Sequence, residues 1–234
     1  DADRLGVAVL DDGEYKLLSG NQLGALLLNY LLQSKEVPGN AAMIKTIVTS
    51  ELGAAIANKY GVPMINTLTG FKYIAEKIAE WEQSGEHTFI FGYEESYGYL
   101  AGDFVRDKDA VQIAVLTAEM AAFYKEQGKT LIAVLNECYE ELGWYKEALV
   151  SLTFDGIEGQ KKIASIMEKI RKNPPTYLAD LEVCKVEDYQ LGGVNGLPKA
   201  DVVKFILEDD SWICVRPSGT EPKCKFYIGV KQDS

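Results

Sequence analysis

The period of hydrophobic and polar positions changes several times along this chain, and each change predicts an element. Residues 5–10 and 15–18 alternate around the polar turn Asp11-Asp12-Gly13, the pattern of a β-hairpin. Ser19 with Gln22 three positions later has the form of a capping box, and the leucine-rich stretch 23–32 after it predicts a buried helix. A strand and helix rhythm follows: a strand at 43–49, a helix at 51–60 closing on Gly61, a short strand at 63–68, a helix at 71–81 before Gly85, and a strand at 88–91. Alternation of this kind predicts parallel strands with crossover helices on their faces.

After a glycine-rich loop, residues 110–127 and 131–142 carry helical spacing, with Gly128 and Gly143 as stops. The pattern then changes character. A strand at 148–154 leads to a basic amphipathic helix at 160–172, halted by Pro174-Pro175, and strands follow at 181–186, 202–207, 212–215 and 225–230. The expected fold class is α/β: a three-layer α/β domain with a mainly parallel sheet over residues 21–143, then a smaller α+β domain over residues 144–234. Residues 1–20 read as the tail of a preceding domain.

Composition narrows the function. At 234 residues, with 47% hydrophobic and 25% charged, the chain has the balance of an ordinary folded protein. Its formal charge of −11 disfavours non-specific binding to nucleic acid or to an anionic membrane. A bound anion must therefore be held by a local cluster working against the global field. The most apolar stretch falls far short of the roughly 20 residues that cross a membrane. The start, Asp1-Ala2-Asp3-Arg4, has no signal-peptide pattern and no initiator Met, so a piece of a longer chain is expected. Cys138, Cys184, Cys214 and Cys224 show no C-x-x-C spacing, which points to reduced thiols and a cytoplasmic location. His87 is the single histidine, so any histidine relay would have to use it; a structural role is the simpler expectation.

Three segments carry candidate chemistry. Gly92-Tyr93-Glu94-Glu95-Ser96-Tyr97-Gly98 sets acceptors and a hydroxyl between glycines after a strand, which suits the hydroxyls of a polyol and equally suits a solvated acidic loop. Arg216-Pro217-Ser218-Gly219-Thr220-Glu221-Pro222-Lys223 concentrates a guanidinium, hydroxyls, a glycine amide and an ammonium, the chemistry of phosphate binding; the plain alternative is a tight turn with incidental charge. Asp1 and Asp3 form a pair of carboxylates suited to a hard cation such as Mg²⁺, although two acids are few for a complete site. Two weaker segments are Thr69-Gly70-Phe71-Lys72, a substrate loop or a plain helix start, and Arg106-Asp107-Lys108-Asp109, which either puts a cationic side chain beside the acidic loop or is only an N-terminal helix flank with Asp109 as cap. No G-x-G-x-x-G and no P-loop occurs. A glycosidase reading of Glu94 and Glu95 fails because adjacent side chains diverge, whereas such enzymes need two carboxyls facing across a bond.

In this order, the four segments Asp1-Ala2-Asp3-Arg4, Thr69-Gly70-Phe71-Lys72, Glu94-Glu95-Ser96 and Arg216 to Pro222 resemble the C-terminal half of the α-D-phosphohexomutase superfamily, the phosphoglucomutase and phosphomannomutase enzymes. The resemblance implies that residues 1–20 end a domain 2, with Asp1 and Asp3 in its Mg²⁺ loop and Arg4 as an active-site arginine. It implies that residues 21–143 are the sugar-binding domain 3, where Glu94 and Ser96 bind sugar hydroxyls, Thr69, Gly70 and Phe71 form the sugar-discriminating loop, and Lys108 lines the pocket. Residues 144–234 then form domain 4, whose Arg216, Ser218, Gly219 and Thr220 clamp phosphate.

Family catalysis uses a phosphoserine in a Thr-Ala-Ser-His-Asn-Pro segment, and this sequence contains no Ser-His pair. The resemblance therefore implies a catalytic serine upstream, in N-terminal domains of the same chain, and a fragment inactive by itself. The implied activity of the whole is interconversion of glucose 1-phosphate and glucose 6-phosphate, an intramolecular phosphoryl transfer with Mg²⁺ as cofactor and glucose 1,6-bisphosphate as activator and intermediate. A phosphomannomutase, a phosphopentomutase and a non-catalytic phosphosugar-binding module are the alternatives.

Overall fold

The computed structural model describes residues 1–154, 156–219 and 221–233. Two units divide the chain, Asp1–Trp144 and Tyr145–Gln232. In the first, β1 (Val7–Asp11) and β2 (Glu14–Leu18) pair antiparallel, with Val7 opposite Leu18 and Asp11 opposite Glu14. Ser19 caps the helix that follows, α1 (Gly20–Ser34): its hydroxyl accepts the Gln22 N–H at 3.2 Å while the Gln22 side chain accepts the Ser19 N–H at 2.9 Å. Two donors at the helix start are thereby satisfied. The helix is buried nearly throughout, with Leu23, Leu26, Leu27 and Leu28 fully inaccessible.

Strands β3 (Ala41–Thr46), β4 (Met64–Thr67) and β5 (Thr88–Tyr93) are parallel, and α2 (Leu52–Lys59) and α3 (Phe71–Ser84) cross over between them. Every residue of β3 is buried, which explains its nearly unbroken apolar run. Ala42 and Ile44 pack against Phe71, Ile74, Ile78 and Trp81 of α3. On the other face the Tyr93 ring lies so close to Gly24 of α1 and Gly53 of α2 that a Cβ at either would collide with it. Helices thus cover both faces, giving three layers. β6 (Tyr99–Ala101) adds to β5 antiparallel, in the order β4-β3-β5-β6. α4 (Ala110–Glu126) is capped by Asp109, whose carboxylate accepts the Val111 and Gln112 N–H groups, and α5 (Leu131–Leu142) is capped by Thr130.

One local expectation changes. The segment after residue 91 is not a free loop leading to α4: the strand runs on to Tyr93, turns through residues 94–98 and returns as β6. A three-residue strand beside glycine carries too little periodicity to announce itself.

The second unit contains β7 (Trp144–Thr153) from its second residue on, α6 (Gly156–Lys172), β8 (Tyr177–Leu178), β9 (Leu181–Asp188), β10 (Val203–Leu207), β11 (Trp212–Pro217) and β12 (Lys223–Gln232). The sheet order is β7-β12-β11-β10-β9-β8, and β8 to β12 pair antiparallel. Ile163 and Met167 of α6 pack onto Val203, Phe205, Val215 and Cys224, so the helix covers one face of the sheet.

Candidate functional site

Open α/β sheets bind ligands beyond the carboxyl ends of their strands. In the first unit those ends belong to β4, β3 and β5, and the segments leaving them meet. Ile47 N–H donates to Thr67 O at 2.9 Å, joining the β3 and β4 exits. Gly70 N–H donates to Glu94 Oε1 at 3.0 Å, joining the β4 and β5 exits. Thr49 Oγ1 donates to Glu95 Oε2 at 3.4 Å, joining β3 to β5.

Each candidate side chain here has a physical reason for its place. Glu94 is 4% exposed, a costly position for a carboxylate, and it lies where the N-terminus of α3 supplies an N–H and a favourable dipole. Gly70 holds the turn before that helix at φ 122°, open only to glycine. Thr69 Oγ1 is buried without a hydrogen-bond partner among the described residues. An unmatched buried hydroxyl costs about 1–3 kcal/mol. Ser96 is half-buried in the turn, beside Tyr97 at φ 68°, a left-handed conformation unfavourable for a bulky residue. That conformation is held from outside: Leu5 N–H donates to Tyr97 O at 3.1 Å, and Arg4 forms a bridge with Gly98.

Lys108 reaches into the same cluster. Its ammonium donates to Asp107 at 2.9 Å, pairs with Asp3 at 3.4 Å and stands 5.5 Å from the centre of the Phe71 ring. Burial works to lower its pKa, but the Asp107 and Asp3 carboxylates outweigh that and raise it, so the side chain stays charged. Its stem passes where Gly98 has no side chain; a Cβ at Gly98 would strike it and come within 3.3 Å of Glu94 Oε2. The first unit therefore gathers Asp3, Arg4, Thr69, Gly70, Phe71, Glu94, Ser96 and Lys108 around one edge of the sheet. Asp1 is exposed at the start of the chain, and among the described residues no group of three His, Cys, Asp or Glu side chains forms a metal cage.

Sequence reasoning passed over Lys45. It sits inside β3, fully buried, and donates to Thr49 O at 3.3 Å and to Glu51 Oε1 at 2.9 Å, a cation placed under the same loops. The signal was present: a lysine within an apolar strand is expensive unless paired.

In the second unit the basic turn connects β11 to β12. Ser218 N–H donates to Lys223 O at 2.8 Å and Glu221 N–H donates to Ser218 Oγ at 3.3 Å, which tightens it. Gly219 is exposed, with open space where a Cβ would be. Thr220 lies outside the described residues. Glu221 pairs with Lys223 at 2.8 Å, and the ammonium holds its carboxyl below the usual range. A cavity of about 270 Å³ opens beside Ser218 and Gly219, lined also by Gln160, Ala164 and Asp201. The Asp201 charge is offset by Arg171 at 2.7 Å.

Arg216 stands directly opposite Lys225 in the β11–β12 register. Like charges at paired positions repel unless an anion joins them. Among the described residues Arg216 has no carboxylate partner, and its guanidinium hydrogen-bonds only Tyr227 Oη, at 3.3 Å. Lys225 is a second residue that sequence order concealed, since only register places it beside Arg216.

Comparison with known proteins identifies relatives over the whole chain. The model of the phosphoglucomutase/phosphomannomutase alpha/beta/alpha domain III matches residues 19–142, and that of the phosphoglucomutase/phosphomannomutase C-terminal domain matches residues 158–234. The phosphoglucomutase of Staphylococcus haemolyticus (strain JCSC1435) is 42% identical over 245 residues, covering 100% of this chain and 44% of that protein. That of Staphylococcus aureus (strain MSSA476) is 44% identical over 242 residues, covering 99% and 43%. The chain thus spans less than half the length of these relatives. Among solved structures, the open form of pp63/parafusin, a Paramecium phosphoglucomutase, superposes with a TM-score of 0.67 at 20% identity, covering 100% of this chain and 39% of that one. A phosphoglucomutase/phosphomannomutase family protein of Burkholderia thailandensis gives 0.62 at 16% identity, covering 100% and 41%. At such identities the likeness concerns the fold.

Proposed function

The chain belongs to the phosphoglucomutase/phosphomannomutase family, and from that premise we propose that it is the part of a phosphoglucomutase that recognises the sugar phosphate. In this reading Thr69, Gly70, Phe71, Glu94, Ser96 and Lys108 read the sugar, while Arg216, Ser218, Gly219 and Thr220, joined by Lys225, hold phosphate. The observation that carries it is the facing pair Arg216 and Lys225 at the mouth of a turn, within a chain of net charge −11. Arg216 has no carboxylate partner among the described residues, and two cations brought to paired positions favour an anion between them. The names of the 42–44% identical relatives favour glucose as the sugar.

The chemistry follows from what each group can donate or accept. Glu94 Oε1 accepts the Gly70 N–H, and a carboxylate is the acceptor type that suits a ring hydroxyl. Lys108 is kept cationic by Asp107 and Asp3. The phosphoryl donor is a phosphoserine on the preceding part of a longer chain, and the reaction passes through a hexose bisphosphate. Phosphoryl transfer is carried by positioning and charge stabilisation, so weak, symmetric contacts that accept either phosphate in turn are what this chain needs to supply.

Asp1 and Asp3 suit Mg²⁺ by donor type, since this ion is commonly held by one or two carboxylates together with water and phosphate oxygens. Bound there, the ion would neutralise charge on the transferring group. The partner of residues 1–18 is the preceding domain: Leu10 faces Tyr15 and Ala8 faces Leu17 across the hairpin, and Leu10, Tyr15 and Leu17 are 57%, 76% and 83% exposed. Such an apolar face calls for cover.

Calorimetric titration of the chain with glucose 1-phosphate and with inorganic phosphate, alongside Arg216→Ala, tests the reading. Weak phosphate-dependent binding that the variant loses is expected. Equal binding by both proteins would overturn the assignment of the turn.

A further inference from the structure

We infer that Tyr227 is a positioning residue for Arg216, holding the guanidinium at the mouth of the β11–β12 turn so that its remaining N–H groups meet phosphate. This inference rests on the phosphate reading of the turn and deepens it. Arg216 pairs with Lys225 and Cys214 pairs with Tyr227, so Arg216 and Tyr227 are diagonal neighbours projecting from one face of the sheet. Arg216 Nη1 donates to Tyr227 Oη at 3.3 Å, the single hydrogen bond of that guanidinium among the described residues.

The two partners differ in how firmly they are held. Arg216 is half-exposed at a strand end, whereas Tyr227 is 3% exposed. Tyr227 also ends a row that crosses four strands: Glu187 opposite Lys204, Lys204 opposite Cys214, Cys214 opposite Tyr227. Every member of the row is buried. Its polar groups are engaged: Glu187 accepts from Lys185, Tyr189 and Asn195, and the Lys204 ammonium stands 4.4 Å from the centre of the Trp212 ring. Trp212 in turn lies so tightly over Gly229 of β12 that no Cβ would fit there. A long arginine side chain tied to such a frame has less freedom to lose when it grips an anion, and pre-ordering of this kind raises affinity. A phenylalanine at residue 227 would keep the packing and lose the tie.

The test uses the 234-residue chain, isotopically labelled on arginine, as wild type, Tyr227→Phe and Arg216→Ala. Guanidinium NMR should show restrained rotation of the Arg216 Nη groups in wild type and faster averaging in Tyr227→Phe, with similar thermal unfolding. Inorganic phosphate should bind about three- to tenfold more weakly to Tyr227→Phe, the effect of one hydrogen bond, and not detectably to Arg216→Ala. An Arg216 guanidinium equally mobile in wild type and Tyr227→Phe overturns the inference whatever phosphate does. A loosened guanidinium with unchanged phosphate affinity overturns it too. Absence of binding by wild type, or equal binding by Arg216→Ala, instead overturns the phosphate reading of the turn, and this inference with it.

Discussion

Glu94 accepts the backbone N–H of Gly70 at 3.0 Å, so the acidic turn after β5 fixes the loop after β4. Glu94→Ala should lower the stability of the chain by about 1–3 kcal/mol by leaving that N–H unmatched, and Glu94→Gln by less, because an amide oxygen still accepts. Urea unfolding of the three proteins checks this; equal midpoints would show that the tie contributes nothing.

Two glycines around this turn should tolerate alanine unequally. At Gly98 the new methyl meets the Lys108 stem, a side chain able to yield, and a loss of about 1–2 kcal/mol is expected. At Gly20 it meets the backbone of Glu95 and Tyr97, which cannot move without distorting the turn, so Gly20→Ala should cost about 3 kcal/mol or more. Thermal unfolding of both variants ranks them; the reverse order would mean that the acidic turn is the softer neighbour.

Glu187 gives the second unit a pH dependence of defined sign. Burial pushes its carboxyl up, but hydrogen bonds from Lys185, Asn195 and Tyr189 prevail and hold its pKa below the ordinary 4.5. A depressed acid adds stability above that value and loses it as pH falls through the folded-state pKa. Unfolding midpoints should therefore drop on acidification below about pH 4.5, with a shallower drop in Glu187→Gln. Identical slopes would remove Glu187 from the account.

The cysteines should separate by burial. Cys138, Cys214 and Cys224 are buried, and burial pushes the Cys138 thiol up to about 11, while Cys184 is exposed. A disulfide reagent at neutral pH should label one thiol rapidly in the native protein and four after unfolding. Rapid labelling of more than one would show that the native cores open readily.

Much of this was legible in the sequence wherever a local rule was strong. The Ser19 and Gln22 capping box, the Asp109 cap and the alternation of residues 5–18 each specify their element without help from distant parts of the chain. What escaped depended on pairing. β6 is too short to show a period, and its place is set by β5. Lys225 and Tyr227 belong with Arg216 only through strand register, and Lys45 joins the site only because β3 ends beneath the loops. The candidate residues themselves stood out because hydroxyls, carboxylates and cations clustered beside glycines, a composition that seldom serves a core.

The most direct measurement is amide NMR mapping of the chain titrated first with inorganic phosphate and then with glucose 1-phosphate. The account predicts that phosphate shifts the amides of Arg216, Ser218, Gly219 and Lys225, and that the sugar phosphate also shifts Gly70, Glu94 and Ser96. Shifts confined to other surfaces, or the same set for both ligands with residues 69–98 silent, would contradict it.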